Sequence, residues 1–461
     1  MLFPHPTRDG VAAEVRATLR LAAPLIASQL AAVGQNVVDI MLAGHLGAHV
    51  LGAVAVGTNV WSLALMTTVG MMMALSPSVA QLDGARRRDE IGPLFRQALW
   101  LALGAGLLFM AAVYLAGPKL VAAMGIAPAL IPDVTAFLHA VSFAAPAVSL
   151  YMALRGLSEG LSLPRPSMLF SLLGLILLAP IGYVLMYQVG LGAFGSGIAM
   201  SVVCWLQLLG FAAYVRRHPR YRRLGWERGR RGPDPAAIAG LLRLGGPMAV
   251  SVLMEVGLFS GAALFVARFG ETAVASHQVA LSVASVTFMV PLGIALATTV
   301  RVGNAAGRGD RAGVRRAGFI GIGLAVACQA VAALVMLVLP LTIAGLYTGD
   351  PAVLQTAAGL LFLAALFQLS DGIQVASAGA LRGLKDARLP MLITIFSYWA
   401  VGMPTGWFLA FAQDWRTPGM WVGLIAGLTC AAGLLLARFH MLSRGPSPIG
   451  AAAVASARRP A

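Results

Sequence analysis

The sequence predicts an all-α polytopic membrane protein of twelve transmembrane helices in two six-helix lobes. Three observations carry that reading: apolar runs of spanning length, the sorting of cations between alternate gaps, and an internal repeat. Of 461 residues, 59% are hydrophobic and 11% charged, and the mean hydropathy is +0.83. A soluble domain does not have this composition.

A helix needs about 20 apolar residues to cross the hydrocarbon core. Runs of that size occur near 21–43, 53–80, 94–116, 131–153, 167–188 and 193–215, and after a gap near 244–268, 275–300, 316–339, 353–379, 390–411 and 419–441. The reading divides the chain into an N-terminal lobe (1–215), an Arg-rich linker (216–235), a C-terminal lobe (236–444) and a Gly/Pro/Ala tail (445–461) expected to be disordered.

The gaps settle the orientation. Arg86–Arg88 follow the second run, Arg155 and Arg165 the fourth, and RRHPRYRRLGWERGRR the sixth; Arg301, Arg308, Arg311, Arg315 and Arg316 follow the eighth, and Arg382, Lys385 and Arg388 the tenth. Odd-numbered gaps hold only Lys119, Arg268 and Arg416. The positive-inside rule makes the even gaps and both termini cytoplasmic. One missed or extra helix would scramble this alternation.

The repeat is visible at a shift of 223 positions. It superimposes Pro247 on Pro24, Ser251 on Ser28, Gly257 on Gly34, Gly270 on Gly47 and Gly293 on Gly70, and ALRGL at 153–157 recurs at 380–384. Six spans separate the copies, so they keep one orientation and are related by an axis along the membrane normal. The linker reads as a solvated connection between them.

Several function classes are excluded. The net charge of +16 could suggest a nucleic-acid partner, but the cations sit where topology places them. Cys204, Cys328 and Cys430 lie in separate apolar runs at unrelated spacings and indicate neither a disulfide framework nor a metal site. No GxxxxGK[ST] loop occurs, and the gaps are too short for a nucleotidase domain. The chain is therefore expected to be neither an enzyme nor a primary pump, and to need no cofactor. The first twenty residues are too polar for a signal-peptide core, so insertion is expected through the first full-length span.

Of seventeen acids, Asp39, Glu255 and Asp371 fall inside spans. An acid at that depth costs at least ~2.5 kcal/mol and points to ions or substrate. Gln35 and Asn36 lie one turn before Asp39, on its face. Gln368 and Gln374 flank Asp371 at i−3 and i+3, forming a polar stripe expected to face a cavity. Glu255 has only Ser251 nearby on its helix, and no Lys or Arg occurs mid-membrane in the second lobe to pair with it. If Glu255 and Asp371 approach each other, they offer hard oxygen ligands of the kind that alkali and alkaline-earth cations take. His277, Gln278, Asn59, Trp61 and Glu159 read as structural.

The stretches GQNVVDIMLAGHLG (34–47), GGPMAVSVLMEVGLF (245–259), MVPLGIALATTVRVGNAAGRGD (289–310) and SDGIQVASAGALRGLKDAR (370–388) resemble the multidrug and toxin extrusion (MATE) family in its NorM-like bacterial branch, over about residues 15–440. The resemblance implies a V-shaped pair of lobes that export amphipathic organic cations in antiport with Na⁺ or H⁺. It makes Asp39 the coupling acid of the first lobe and Glu255 and Asp371 the cation-site acids of the second. It also implies a monomer in the bacterial inner membrane. Two departures bear on the site. Leu178 and Gly182 stand where the branch commonly has asparagines, leaving Asp39 a thinner polar setting that favours response to pH over Na⁺. Phe367 stands where a tyrosine is common, keeping a π-face for a cation without the hydroxyl.

Two other readings compete. A lipid-linked precursor flippase of the same superfamily would line its cavity with cations, whereas the central charges here are acids. A passive channel or membrane scaffold would show no ion-coupled uptake.

Overall fold

The computed structural model describes residues 10–444 apart from 124, 228, 230 and 231. The tail 445–461 lies outside the described residues. These are helical and contain no strand.

Twelve spans follow in order: α1 Gly10–His45, α2 Ala48–Gly84, α3 Arg88–Ala123, α4 Pro128–Ser142 with Ala144–Gly160, α5 Arg165–Gln188, α6 Gly192–Arg217, α7 Pro235–Phe269, α8 Glu271–Gly307, α9 Arg311–Val338, α10 Pro351–Gly383, α11 Arg388–Ala412 and α12 Arg416–Arg444. Eleven qualify singly; α4 does so as a pair bent by 41° at Phe143. In lipid each backbone polar group must be satisfied within the segment, which is why the apolar runs become helices.

Local chemistry sets the ends. Gly47 and Gly270 precede α2 and α8 with φ of 111° and 97°, a region that favours glycine, and they are repeat equivalents. Asp310 accepts from the Gly313 amide at 2.8 Å ahead of α9, and Asp350 from the Ala352 amide at 2.8 Å ahead of α10, two N-caps. Both α5 and α11 close on a widened, π-helical turn, Val184–Gln188 and Phe408–Ala412.

The described chain forms two compact units that cut inside helices. The first is Ala27–Ala249; the second takes the residues up to Ile26 and those from Val250 on. The start of α1 is thus in the second unit, where Ile26 packs on Gly293, and the start of α7 is in the first, where Ala249 packs on Gly70. A Cβ at Gly70 would lie 2.4 Å from Ala249 Cα, and one at Gly293 would lie 2.4 Å from Ile26 Cγ1 and 2.9 Å from its backbone nitrogen. These contacts are equivalent under the repeat. In the second unit Glu14 also grips Arg301 through two hydrogen bonds of 2.7 and 2.5 Å.

The segment after α6 is docked rather than solvated. Tyr221 and Leu224 are each 1% exposed. The Tyr221 and Ser158 hydroxyls lie 3.0 Å apart in a hydrogen bond, the Trp226 indole donates to the Tyr221 carbonyl at 2.6 Å, and the Gly92 amide donates to the Leu224 carbonyl at 2.7 Å. Burial pushes the Tyr221 hydroxyl up to about 12. The count of arginines hid these three apolar anchors from the sequence reading.

Candidate functional site

In the first unit, the helical period of α1 turns Asp39 inward, where it is 3% exposed. Ser196, near the start of α6, donates its hydroxyl to Asp39 Oδ1 at 2.6 Å. Neither amide expected on that face bonds to the acid: Gln35 donates to the Ser171 carbonyl at 3.3 Å, and Asn36 is exposed. Leu178 is buried in a cluster with Ala199 and Val203, against which Val38 and Ile181 pack. Gly182 admits Leu42, whose Cδ1 would meet a Cβ there at 2.7 Å. Apolar contact therefore occupies these two positions, and the polar partner comes from another helix. Ser196 gave no sequence signal, being one hydroxyl among the small residues of GAFGSGIAM.

In the second unit, Glu255 of α7 and Asp371 of α10 lie within electrostatic range of each other. Asp371 is 3% exposed. Tyr398 of α11, fully buried, lies within range of both carboxylates. Its hydroxyl has no hydrogen-bond partner among the described residues, and the same holds for Gln374 Oε1, Ser377 Oγ and Ser397 Oγ. Buried oxygens of this kind normally have partners. Arg382, at the end of α10, also acts on Glu255. The sequence placed Arg382 in a cytoplasmic gap and expected no cation for Glu255; the long side chain reaches back along the helix.

The stripe on α10, expected to face a cavity, is buried among neighbouring helices. Gln329 Nε2 of α9 donates to Gln368 Oε1 at 2.6 Å, and Gln368 Nε2 donates to the Thr287 hydroxyl of α8. Phe367 is 3% exposed and meets Phe259 and Trp421 edge-on, at 5.9 Å in each case. Trp421 Nε1 donates to His277 Nδ1 at 3.2 Å, which gives that histidine a packing role. Among the described residues no group of three or more His, Cys, Asp and Glu side chains is gathered. Two carboxylates within electrostatic range of each other and of a buried phenol offer hard oxygens suited to a proton or a monovalent cation.

The MatE family model matches residues 24–184 and again residues 247–408, the two copies of the repeat. The chain belongs to the MatE family. Among its MatE relatives, the "Probable multidrug resistance protein NorM" of Xanthomonas campestris is 47% identical over 454 residues, which cover 96% of this chain and 98% of that one. "Multidrug resistance protein MdtK" of Yersinia enterocolitica is 38% identical over 445 residues, covering 94% and 97%. Solved structures share the fold. The eukaryotic MATE transporter AtDTX14 has a TM-score of 0.84 at 21% identity, covering 94% of this chain and 97% of its own. A MOP superfamily transporter from Pyrococcus furiosus has 0.83 at 20%, covering 95% and 99%. The all-helical polytopic fold expected from hydropathy, and the MATE-like architecture implied by the motif resemblance, are the ones observed.

Proposed function

We propose that this MatE protein is a secondary multidrug efflux transporter that exports amphipathic organic cations in exchange for Na⁺ or H⁺. It acts as a monomer in the bacterial inner membrane, with both termini cytoplasmic and one six-helix lobe on either side of the linker 216–235. Asp39, Glu255 and Asp371 are the coupling groups, and Glu255 with Asp371 hold the Na⁺ when Na⁺ is used. The relatives named for multidrug resistance support the substrate class.

The observation that carries the coupling reading is that half-buried Glu255 and buried Asp371 lie within electrostatic range of each other and of the Tyr398 hydroxyl, which lacks a partner among the described residues. Two carboxylates in mutual range resist being ionised together, so a proton or a cation between them relieves the repulsion. Release of that ion restores it. Arg382 supplies a fixed positive charge that competes for Glu255, a means of expelling a bound cation.

The test is dye efflux from reconstituted vesicles under separately imposed Na⁺ and H⁺ gradients. Efflux driven by at least one gradient is expected. Dye movement indifferent to both would leave a passive pathway, and transport of lipid-linked precursors without dye would favour the flippase.

A further inference from the structure

The arginines after α6 lie on a segment whose backbone is docked against the first unit. Arg216 and Arg217 close the last turn of α6, and Arg220, Arg222 and Arg223 follow; all five are exposed. None pairs with a carboxylate among the described residues. In the gap after α2, by contrast, Arg87 is held by Glu90 at 2.5 Å and Arg88 by Asp83 at 2.6 Å.

The support is the docked backbone between and after these side chains. Tyr221 and Leu224 are sunk into the first unit, Trp226 packs edge-on against Phe95 at 5.8 Å, and Gln97 accepts from the Asp234 amide at 2.8 Å while donating to the Gly232 carbonyl at 3.1 Å. Gly225 holds φ at 70°, and a Cβ there would lie 2.0 Å from the Asp89 carbonyl oxygen. A solvated loop would pay ordering entropy on gripping an anion. Here that entropy is already lost on folding, and the charges lie at or within six residues of the end of α6 at Arg217.

We propose that residues 216–223 form a pre-ordered site for the phosphate headgroup of an anionic phospholipid in the adjoining leaflet. Guanidinium groups match phosphate bidentately, and basic clusters next to a membrane helix bind anionic lipid. Charge complementarity selects the ligand: five exposed arginines with no carboxylate partner among the described residues close or directly follow the last turn of a span. The site is separate from the buried acids and does not depend on which ion drives transport.

The test is native mass spectrometry of the purified full-length protein in detergent, titrated with phosphatidylglycerol or phosphatidylcholine. Wild type should retain phosphatidylglycerol in preference. The triple variant Arg220→Gln, Arg222→Gln, Arg223→Gln should lose affinity by on the order of a hundredfold, while Arg308→Gln, Arg311→Gln, Arg316→Gln, with the same charge removed from the second unit, should stay within a few-fold of wild type. Gly225→Val keeps every arginine but undocks the segment, and should weaken binding at least tenfold. Equal retention of the two lipids, equal loss in both triple variants, or wild-type affinity in Gly225→Val would overturn the proposal. Competition by inorganic phosphate at the lipid's own concentration would overturn it too, in favour of a soluble anion.

Discussion

Gly70 of α2 packs directly on the backbone of Ala249 in α7, at a distance that leaves no room for a side chain. Its repeat equivalent Gly293 does the same to Ile26 of α1. Each unit therefore seats the beginning of a long helix whose remainder belongs to the other unit. Gly70→Val and Gly293→Val should each cost about 1–3 kcal/mol or more through overpacking, read as a lower melting temperature and a smaller monodisperse yield. A melting temperature matching wild type in both would mean that the helices slide apart without penalty.

The grip of Glu14 on Arg301 is the second hold on the start of α1. Both side chains are 14% exposed, between the weak surface pair and the costly buried one. Glu14→Gln should lower stability by about 1–3 kcal/mol and expose the start of α1 to protease before the rest of the chain. The measurement is limited proteolysis followed by thermal melting.

Close helix contact without side chains recurs where α11 meets α12. A Cβ at Gly423 would lie 2.3 Å from Gly406 Cα, and one at Gly427 would lie 3.0 Å from Gly402 Cα. The spacing of four residues on both helices is the small-residue pattern that lets membrane helices touch. Gly423→Leu should prevent this contact, and the folded fraction recovered in detergent should fall well below that of an isosteric change on the lipid face, such as Leu434→Ile.

For the acids, Asp371→Asn and Glu255→Gln should each abolish ion-coupled efflux while changing stability by less than about 1 kcal/mol, because a buried charge is replaced by a neutral group of the same shape. Efflux in vesicles and melting temperature are measured on the same preparations. Asp39→Asn should reduce efflux and flatten its pH dependence, leaving the Na⁺ response of the second unit intact; Ser196→Ala should displace the pH profile without abolishing transport. Loss of the Na⁺ response in Asp39→Asn would make Asp39 a metal ligand.

The orientation can be checked at Glu227, which is exposed. A cysteine placed there should be protected from impermeant maleimide in intact cells and labelled in everted vesicles. The native Cys204, Cys328 and Cys430 are partly buried free thiols within spans, so the cysteine-free background is the reference.

The helices and their number were legible because hydropathy, cation sorting and repetition are independent signals that agree. Asp39, Glu255 and Asp371 were legible as acids out of place. Their partners were not. Ser196, Tyr398 and Arg382 come from distant helices, and no periodicity along one helix reports what faces it from another. Tyr398 stands in FSYWAVG, where an aromatic residue excites no suspicion. The amides that did look like partners, Gln35 and Asn36, satisfy the spacing rule on their own helix but point elsewhere, because the face of a helix is wider than one hydrogen bond. The docked linker was misjudged for a related reason: three anchors among many arginines outweigh the average.

The widened turns that end α5 and α11 lie 224 positions apart, as do Pro180 and Pro404, and Gly182 and Gly406. VLMYQ and FLAFA share only their leucine. A backbone irregularity kept in both halves while its side chains differ is a property of the shared fold and not of those side chains. The acids show the opposite pattern. At the positions matching Asp39, Glu255 and Asp371 the other half has Ala262, Ala32 and Ala144. The backbone scaffold is thus common to the two halves and the charged groups are private to each, so the two copies are not equipped for the same task.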